Sequence, residues 1–302
     1  TLPVFLTLIY LYVNIIKNTE DVSREIDYHF KDLSKSYILK SIGQFIMPTG
    51  IAIDSSNNVY IADCKLNKIF VYNKDDLLVR TIGSIGKENG NFLGLQGITI
   101  NNNILYVADS KNNRIQLFDL QGNFKEKIQL NSNLEPKDIV VHKGKIYFTI
   151  ESMIPRYYKV YCIDVNKKIK TIGRYKKGFL AIYKDSLLFT NDSNFHRIKN
   201  GWVASAGEHY IYQIVNQNLK KVKLLSYKYQ PRDFIYNPIT NNFYIVCAFN
   251  SSLDQFDTNF NYIGSLLKVT SDDYPQFVAC DEIGNIYCSL TGSGKVIKIS
   301  NK

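Results

Sequence analysis

Pro48-Thr-Gly-Ile-Ala-Ile-Asp54, followed by Asn58-Val-Tyr-Ile-Ala-Asp63 and Asn67-Lys-Ile-Phe-Val-Tyr72, returns about 46 residues later as Leu95-Gln-Gly-Ile-Thr-Ile-Asn101, Asn103-Ile-Leu-Tyr-Val-Ala-Asp109 and Asn113-Arg-Ile-Gln-Leu-Phe118. Each unit is closed by one more apolar run, Leu77-Leu-Val-Arg-Thr-Ile-Gly83 and Phe124-Lys-Glu-Lys-Ile-Gln-Leu130. Branched and aromatic residues in short runs read as strands, because such side chains pack well on a pleated surface. Asn57-Asn58 and Asn101-Asn102-Asn103 supply the turns between them. Four short strands recurring with a period near 45 residues predict the blade of a β-propeller.

The pattern Pro-x-Gly-Ile-Ala-x-Asp, Val-Tyr-Ile-Ala-Asp, Asn-x-Ile-x-Val resembles the NHL repeat, and Ala108-Asp-Ser-Lys-Asn-Asn-Arg-Ile-Gln-Leu-Phe-Asp119 is a close match to it. The resemblance is strong over about residues 45–130 and weakens afterwards, yet the same four-strand parse continues. A third unit runs from Pro136-Lys-Asp-Ile-Val-Val141 to Lys170-Thr-Ile-Gly173. A fourth runs from Gly178 to Leu225, with a long insertion around Asn191–Gly207. A fifth runs from Pro231-Arg-Asp-Phe-Ile235 to Gly264, and a sixth from Pro275-Gln-Phe-Val-Ala-Cys-Asp281 to Lys295-Val-Ile-Lys-Ile299.

The sixth unit has only three strands. Tyr37-Ile-Leu-Lys-Ser-Ile-Gly43 ends as Arg80-Thr-Ile-Gly83 and Lys170-Thr-Ile-Gly173 do, so it is the expected fourth strand, borrowed from the N-terminal side. Closing the ring in this way removes an open sheet edge. The expectation is an all-β, six-bladed propeller over residues 36–302 with an N-terminal strand closing the last blade, preceded by a hydrophobic helix (1–17) and a polar spacer (18–35).

Thr1 to Ile16 carry no charge, and Lys17 ends the run. Sixteen helical residues span about 24 Å, a little short of the ~30 Å hydrocarbon core. An export signal, a retained membrane helix and a helix buried against protein all fit such a stretch; the retained membrane anchor is the favoured reading. It places the propeller on the extracytoplasmic side of a membrane.

The chain has 302 residues, 45% of them hydrophobic and 13% aromatic, enough for a large core. Its net charge of +10 comes from 37 Lys and Arg against 27 Asp and Glu. The lysines are scattered in ones and twos, as on a solvated surface, and no basic tract marks a nucleic-acid arm. Five cysteines without a CxxC pair exclude a disulfide framework or zinc module. A disulfide between Cys280 and Cys288, which flank a short hairpin, stays open.

In a propeller, residues just before the inner strands and just after the second strands gather at one mouth of the central channel, where polar groups converge. That places Thr49, Gln96, Lys137, Asp138, Arg232, Asp233 and Gln276 in the first set, and Asp63 and Asp109 in the second. Lys137-Asp138 and Arg232-Asp233 read either as a collar for a polar ligand or as blade-to-blade ion pairs. Asp63 and Asp109 read as caps of the following turn, with Lys68 or Arg114 as partners.

Catalysis finds little footing. His196, His209 and Glu208 are near one another in sequence but lack metal-ligand spacing. Six-bladed relatives such as amidating lyases, lactonases and strictosidine synthase-like enzymes hold their metals at inner-strand starts, a pattern poorly matched here. No cofactor is expected; a calcium ion between Asp138 and Asp233 is the one metal left open. The resemblance implies binding as the common use. The leading expectation is a non-catalytic, membrane-anchored interaction propeller, possessing a protein partner or belonging to a membrane complex. The alternatives are an exported lyase- or lactonase-like enzyme with a metal at the mouth, and an RNA-binding NHL domain.

Overall fold

The computed structural model describes residues 31–151, 159–173, 176–198, 201–205, 209–225 and 230–302. The expected hydrophobic helix and most of the expected spacer lie outside these residues. Among the described residues no helix is long and apolar enough to cross a membrane.

The chain enters on β1 (Tyr37–Ile42). Blade 1 then comprises β2 (Pro48–Ile53), β3 (Val59–Asp63), β4 (Lys68–Tyr72) and β5 (Leu78–Ile82). Blade 2 comprises β6 (Leu95–Asn101), β7 (Ile104–Asp109), β8 (Arg114–Asp119) and β9 (Phe124–Gln129). Blade 3 comprises β10 (Glu135–His142), β11 (Lys145–Glu151), β12 (Val160–Ile163) and β13 (Ile169–Ile172). Blade 4 comprises β14 (Lys176–Tyr183), β15 (Ser186–Ile198), β16 (Gly201–Ser205), β17 (His209–Val215) and β18 (Asn218–Leu225). Blade 5 comprises β19 (Pro231–Asn237), β20 (Asn242–Cys247), β21 (Ser252–Phe256) and β22 (Tyr262–Lys268). Blade 6 comprises β23 (Pro275–Cys280), β24 (Ile286–Leu290) and β25 (Lys295–Asn301).

All six sheets are antiparallel, and the inner strands β2, β6, β10, β14, β19 and β23 pack side by side until β23 meets β2. The ring is closed as expected: β1 pairs with β25 from Tyr37↔Asn301 to Ile42↔Val296. Lys40 and Lys298 lock the junction to blade 1 through Asp76, at 2.7 and 2.9 Å. The core is divided among the blade interfaces. One apolar cluster, for example, joins blade 1 to blade 2 through Tyr60, Ile69, Phe92, Leu105 and Phe118. Another joins blade 6 back to blade 1 through Ile42, Ile61, Tyr72, Tyr287 and Val296.

Turns carry a shared device. Asp54, Asp119, Asp257 and Asp281 each accept the backbone N–H and the side-chain amide of the Asn four residues on, at 2.7–3.0 Å. Asn57, Asn102 and Asn103 adopt the left-handed backbone that tight turns need and that Asn tolerates.

Part of the expected spacer belongs to the propeller. Leu33 donates its N–H to the Ser265 carbonyl, and Ser265 donates to Lys31, both at 2.8 Å, so residues 31–33 lie along β22. Cys280 and Cys288 are free thiols. Cys280 sits opposite Ile286 and Cys288 opposite Val278, so neighbouring register positions separate them.

Candidate functional site

Five of the six inner strands skip register against the second strand at their start, between Pro48 and Ile51, Leu95 and Ile98, Pro136 and Ile139, Pro231 and Phe234, and Pro275 and Val278. In blade 4 the extra residue lies instead on the second strand: Lys177 pairs with Ser193 and Gly178 with Asn191, so residue 192 of β15 is skipped. A bulge re-aims the residue it carries. The second bulged position holds Gly50, Gly97, Asp138, Asp233 and Phe277 in blades 1, 2, 3, 5 and 6, and Phe179 takes the matching place in blade 4.

In blades 1 and 2 the backbones of adjacent blades touch there. A Cβ at Gly50 would stand 2.6 Å from the Ile98 nitrogen, and one at Gly97 2.6 Å from the Lys137 carbonyl oxygen. In blades 3 and 5 a carboxylate bridges the gap instead. Asp138 accepts the Ile139 N–H at 2.8 Å and, across to blade 4, the Leu180 N–H at 2.6 Å. Asp233 accepts the Phe234 N–H at 2.9 Å and, across to blade 6, the Val278 N–H at 2.9 Å. Phe179 and Phe277 meet edge to face with ring centroids 5.9 Å apart, although blade 5 lies between their blades. Lys137 sets its ammonium 5.7 Å from the Phe179 ring centre.

Below this level the channel holds a cavity of about 350 Å³, walled mainly by Ile, Val, Leu and Ala from the inner strands, with Asp138 and Asp233 in its lining. Burial pushes the Asp138 carboxyl up to about 6 against the pull of two N–H groups and Lys137. Burial, then the charge of Asp138, holds Asp233 well above the ordinary carboxylate range. Burial thus moves both acids toward the protonated form relative to an exposed carboxylate.

Of the nine residues expected at the mouth, Asp138 and Asp233 are the two that reach this cavity. The others clasp loops and blades together. Asp63 is fully buried and accepts the N–H groups of Ile46, Met47, Lys65 and Leu66. Asp109, also fully buried, accepts Leu93 N–H and pairs with Arg114 at 2.7 Å. Arg114 is the cation beside Asp109; Lys68 is exposed, and Asp63 is satisfied by backbone N–H groups instead. Thr49 Oγ1 lies 3.3 Å from the Ala62, Leu95 and Gln96 carbonyl oxygens, spanning blades 1 and 2. Gln276 accepts from the Thr291 hydroxyl at 2.9 Å, and Thr291 lies 2.7 Å from the Pro48 carbonyl, across the last interface. Gln96 reaches Cys64 Sγ at 3.6 Å, and Arg232 stacks over the Tyr274 ring at 4.8 Å.

The residues offer a calcium ion little. A full cage takes six to eight oxygens, whereas this ring supplies two carboxylates, each with both oxygens already accepting N–H groups. Among the described residues no three His, Cys, Asp or Glu side chains gather as a metal site. His209 is buried with Nδ1 2.9 Å from the Asn191 carbonyl oxygen. The side chains of His196 and Glu208 lie outside the described residues. Residue type marks the two acids in the sequence, whereas Phe277 is marked only by its alignment with Gly50 and Gly97.

Comparison with known proteins agrees with this geometry. A family described as a 6-bladed beta-propeller matches residues 50–233. Protein brain tumor of Drosophila melanogaster is 26% identical over 108 residues, covering 34% of this chain and 10% of that protein. NHL repeat-containing protein 2 of Gallus gallus is 33% identical over 84 residues, covering 25% of this chain and 12% of that protein. The chain thus spans about a tenth of the length of these relatives. Among solved structures, a virginiamycin B lyase from Staphylococcus aureus superposes with a TM-score of 0.61 at 15% identity, covering 88% of this chain and 100% of that one. A gluconolactonase from Xanthomonas campestris gives 0.65 at 12% identity, covering 88% and 90%. At such identities the likeness is one of fold.

Proposed function

Because the chain belongs to this six-bladed β-propeller family, we propose that it is a non-catalytic protein-interaction ring. In this reading residues 1–16 hold it to a membrane, the propeller stands on the extracytoplasmic side, and it is a subunit of a membrane complex. The observation that carries the proposal is the use made of Asp138 and Asp233: both carboxylates are consumed in joining blade 3 to blade 4 and blade 5 to blade 6. A group engaged in holding the ring is a poor ligand or proton carrier for a reaction. The NHL-repeat relatives favour binding in the same sense, as an analogy of fold.

The test is extraction from its native membrane in mild detergent, followed by identification and stoichiometry of co-purifying subunits. The expected result is a fixed-ratio complex released by detergent and not by salt. A lone monomer released by salt would overturn the reading.

The competing reading is an exported lyase- or lactonase-like enzyme with a metal at the mouth. It is favoured by the raised Asp138 carboxyl facing a cavity of about 350 Å³. Metal analysis of the purified protein separates the two: one calcium or zinc per chain, lost in Asp138→Asn, supports the enzyme.

A further inference from the structure

The net charge of the chain is not shared evenly among the blades. Blades 3 and 4, residues 135–225, hold 17 Lys and Arg against 7 Asp and Glu, which is the whole of the +10. The rest of the chain holds 20 of each. Moving the limits out to the adjoining linkers, 131–230, adds Lys228 and no acid. Lysines that stand in ones and twos along the sequence are gathered by the fold into one sector of the ring.

Within that sector they crowd the outer rim. Lys167, Lys168 and Lys170 lie in and just before β13, the outer strand of blade 3, and Lys220, Lys221 and Lys223 lie in β18, the outer strand of blade 4. All are exposed except Lys223, which is half-buried. The two rims meet: a Cβ on Gly173, at the end of β13, would stand 2.5 Å from the Leu219 side chain of β18. Three acids come near. Asp164 pairs with Lys170 at 3.3 Å, and Glu126 of blade 2 pairs with Lys167. Asp257 of blade 5, which feels Lys223, is engaged by Asn259 and Asn261 of its own turn. The rim keeps an excess of positive charge. Apolar surface is interleaved with it: among the described residues, the exposed large apolar side chains of blades 3 and 4 are Val165, Ile169, Ile182, Val215, Val222 and Leu224, at 36–77% exposure.

We infer that this rim is a docking surface for a membrane that carries acidic lipid. Adsorption to such a surface grows with the apolar area it takes up and with attraction to anionic headgroups, and each lysine close to it strengthens binding about fivefold. Other anionic partners fit less well. Lysine is a point charge without the planar fork that clasps a carboxylate or reads a base, and the exposed apolar neighbours are aliphatic, not the flat rings on which bases stack. The course of the chain points the same way. Residues 31–33 run along β22 of blade 5, beside blade 4. Residues 17–30, which separate them from the apolar stretch 1–16, can reach at most ~50 Å. A membrane that holds residues 1–16 is therefore within reach of this rim. The inference rests on the anchoring part of the reading above and applies to whichever leaflet carries the acidic lipid.

The test uses the full chain on phosphatidylcholine vesicles with and without about one-third phosphatidylglycerol, with amine-reactive labelling of each lysine followed by mass spectrometry. The expected result is labelling of Lys168, Lys220 and Lys221 at least fivefold slower on the anionic vesicles than on the neutral ones. Lys65 and Lys68 of blade 1, across the ring, label alike on both. High salt removes the protection, because the lysines are exposed and screened. In Lys168→Glu/Lys220→Glu/Lys221→Glu the protection of Lys167 and Lys170 is lost too. Equal labelling on the two vesicles, protection that survives high salt, or equal protection by soluble polyglutamate or tRNA at the same anionic charge each overturns the inference. Binding to the neutral vesicles reads residues 1–16 alone. If it persists without lysine protection, the docking rim falls and the anchor stands; if it is absent while the anionic vesicles still protect the rim, the anchor falls and the rim stands.

Discussion

Phe179 of blade 4 and Phe277 of blade 6 touch edge to face across the channel, 5.9 Å between ring centres, and blade 5 with Asp233 lies between them. Both rings are buried, at 0% and 3% exposure. Phe277→Ala removes one partner and leaves a void beside a buried acid. The expected loss of stability is about 3–5 kcal/mol, as for other buried Phe truncations, read by chemical denaturation. Phe277→Leu, which keeps most of the volume, should lose less than half as much; equal losses would mean that the ring contact is incidental.

The two channel acids give stability a definite pH dependence. Folded pKa values raised above the ordinary 3.8 mean that the folded chain keeps protons that the unfolded chain releases. Their contribution is therefore fully present below about pH 4 and declines as pH rises, for Asp138 through about 6 and for Asp233 in the same direction. Asp233→Asn cannot ionise. The fall in melting temperature between pH 5 and pH 8 should be smaller in this variant than in the parent, and parallel curves would contradict the assignment.

At Gly97 a side chain has no room. The added Cβ would stand 2.6 Å from the Lys137 carbonyl oxygen and 3.1 Å from the Asp138 Cα, both backbone atoms of the next blade. Gly97→Ala must push blades 2 and 3 apart, at a cost of about 1–3 kcal/mol. Gly144→Ala, where a Cβ meets nothing within 4 Å but φ is +71°, is the control for backbone strain alone. A melting-temperature loss at Gly97 no larger than at Gly144 would count against the close approach.

Arg114 is 3% exposed and pairs with the fully buried Asp109 while donating to the carbonyls of Lys87, Glu88 and Asn91 at 2.8–2.9 Å. Arg114→Ala leaves a buried charge without its partner and releases the loop between blades 1 and 2. About 3–5 kcal/mol of destabilisation is expected. Arg114→Lys should recover little, because an ammonium lacks the planar fork that serves four acceptors. Urea unfolding of the two variants checks both statements.

The blades were legible because their inward faces are apolar and their turns obey local rules, so even the diverged units around Phe148, Phe189 and Tyr244 could be parsed. β1 was legible from its Lys-Ser-Ile-Gly ending. The paired Asp-x-x-x-Asn turns stand in plain sequence, but four copies spread over about 230 residues are a faint signal beside the strands. The site was only half legible. Residue type marked Asp138 and Asp233, but whether Asp63 lines a channel or holds a loop depends on a bulge of two residues, and a bulge leaves no mark of its own in the sequence. The pairing of Lys31–Leu33 with Ser265 was hidden for another reason: three backbone hydrogen-bonding residues need no particular side chains.

The union of β1 with β25 also sets a schedule. Some 250 residues separate the two strands, and a ribosome adding about 5–20 residues per second needs roughly 13–50 s to cover that distance. Throughout that interval five blades are able to form, but the circle stays broken, and β1 waits as a free ribbon beside a growing crescent. Lys40, which rests 2.7 Å from Asp76 of blade 1, is the kind of edge charge that discourages a wrong strand from adding to β1 before β25 is made.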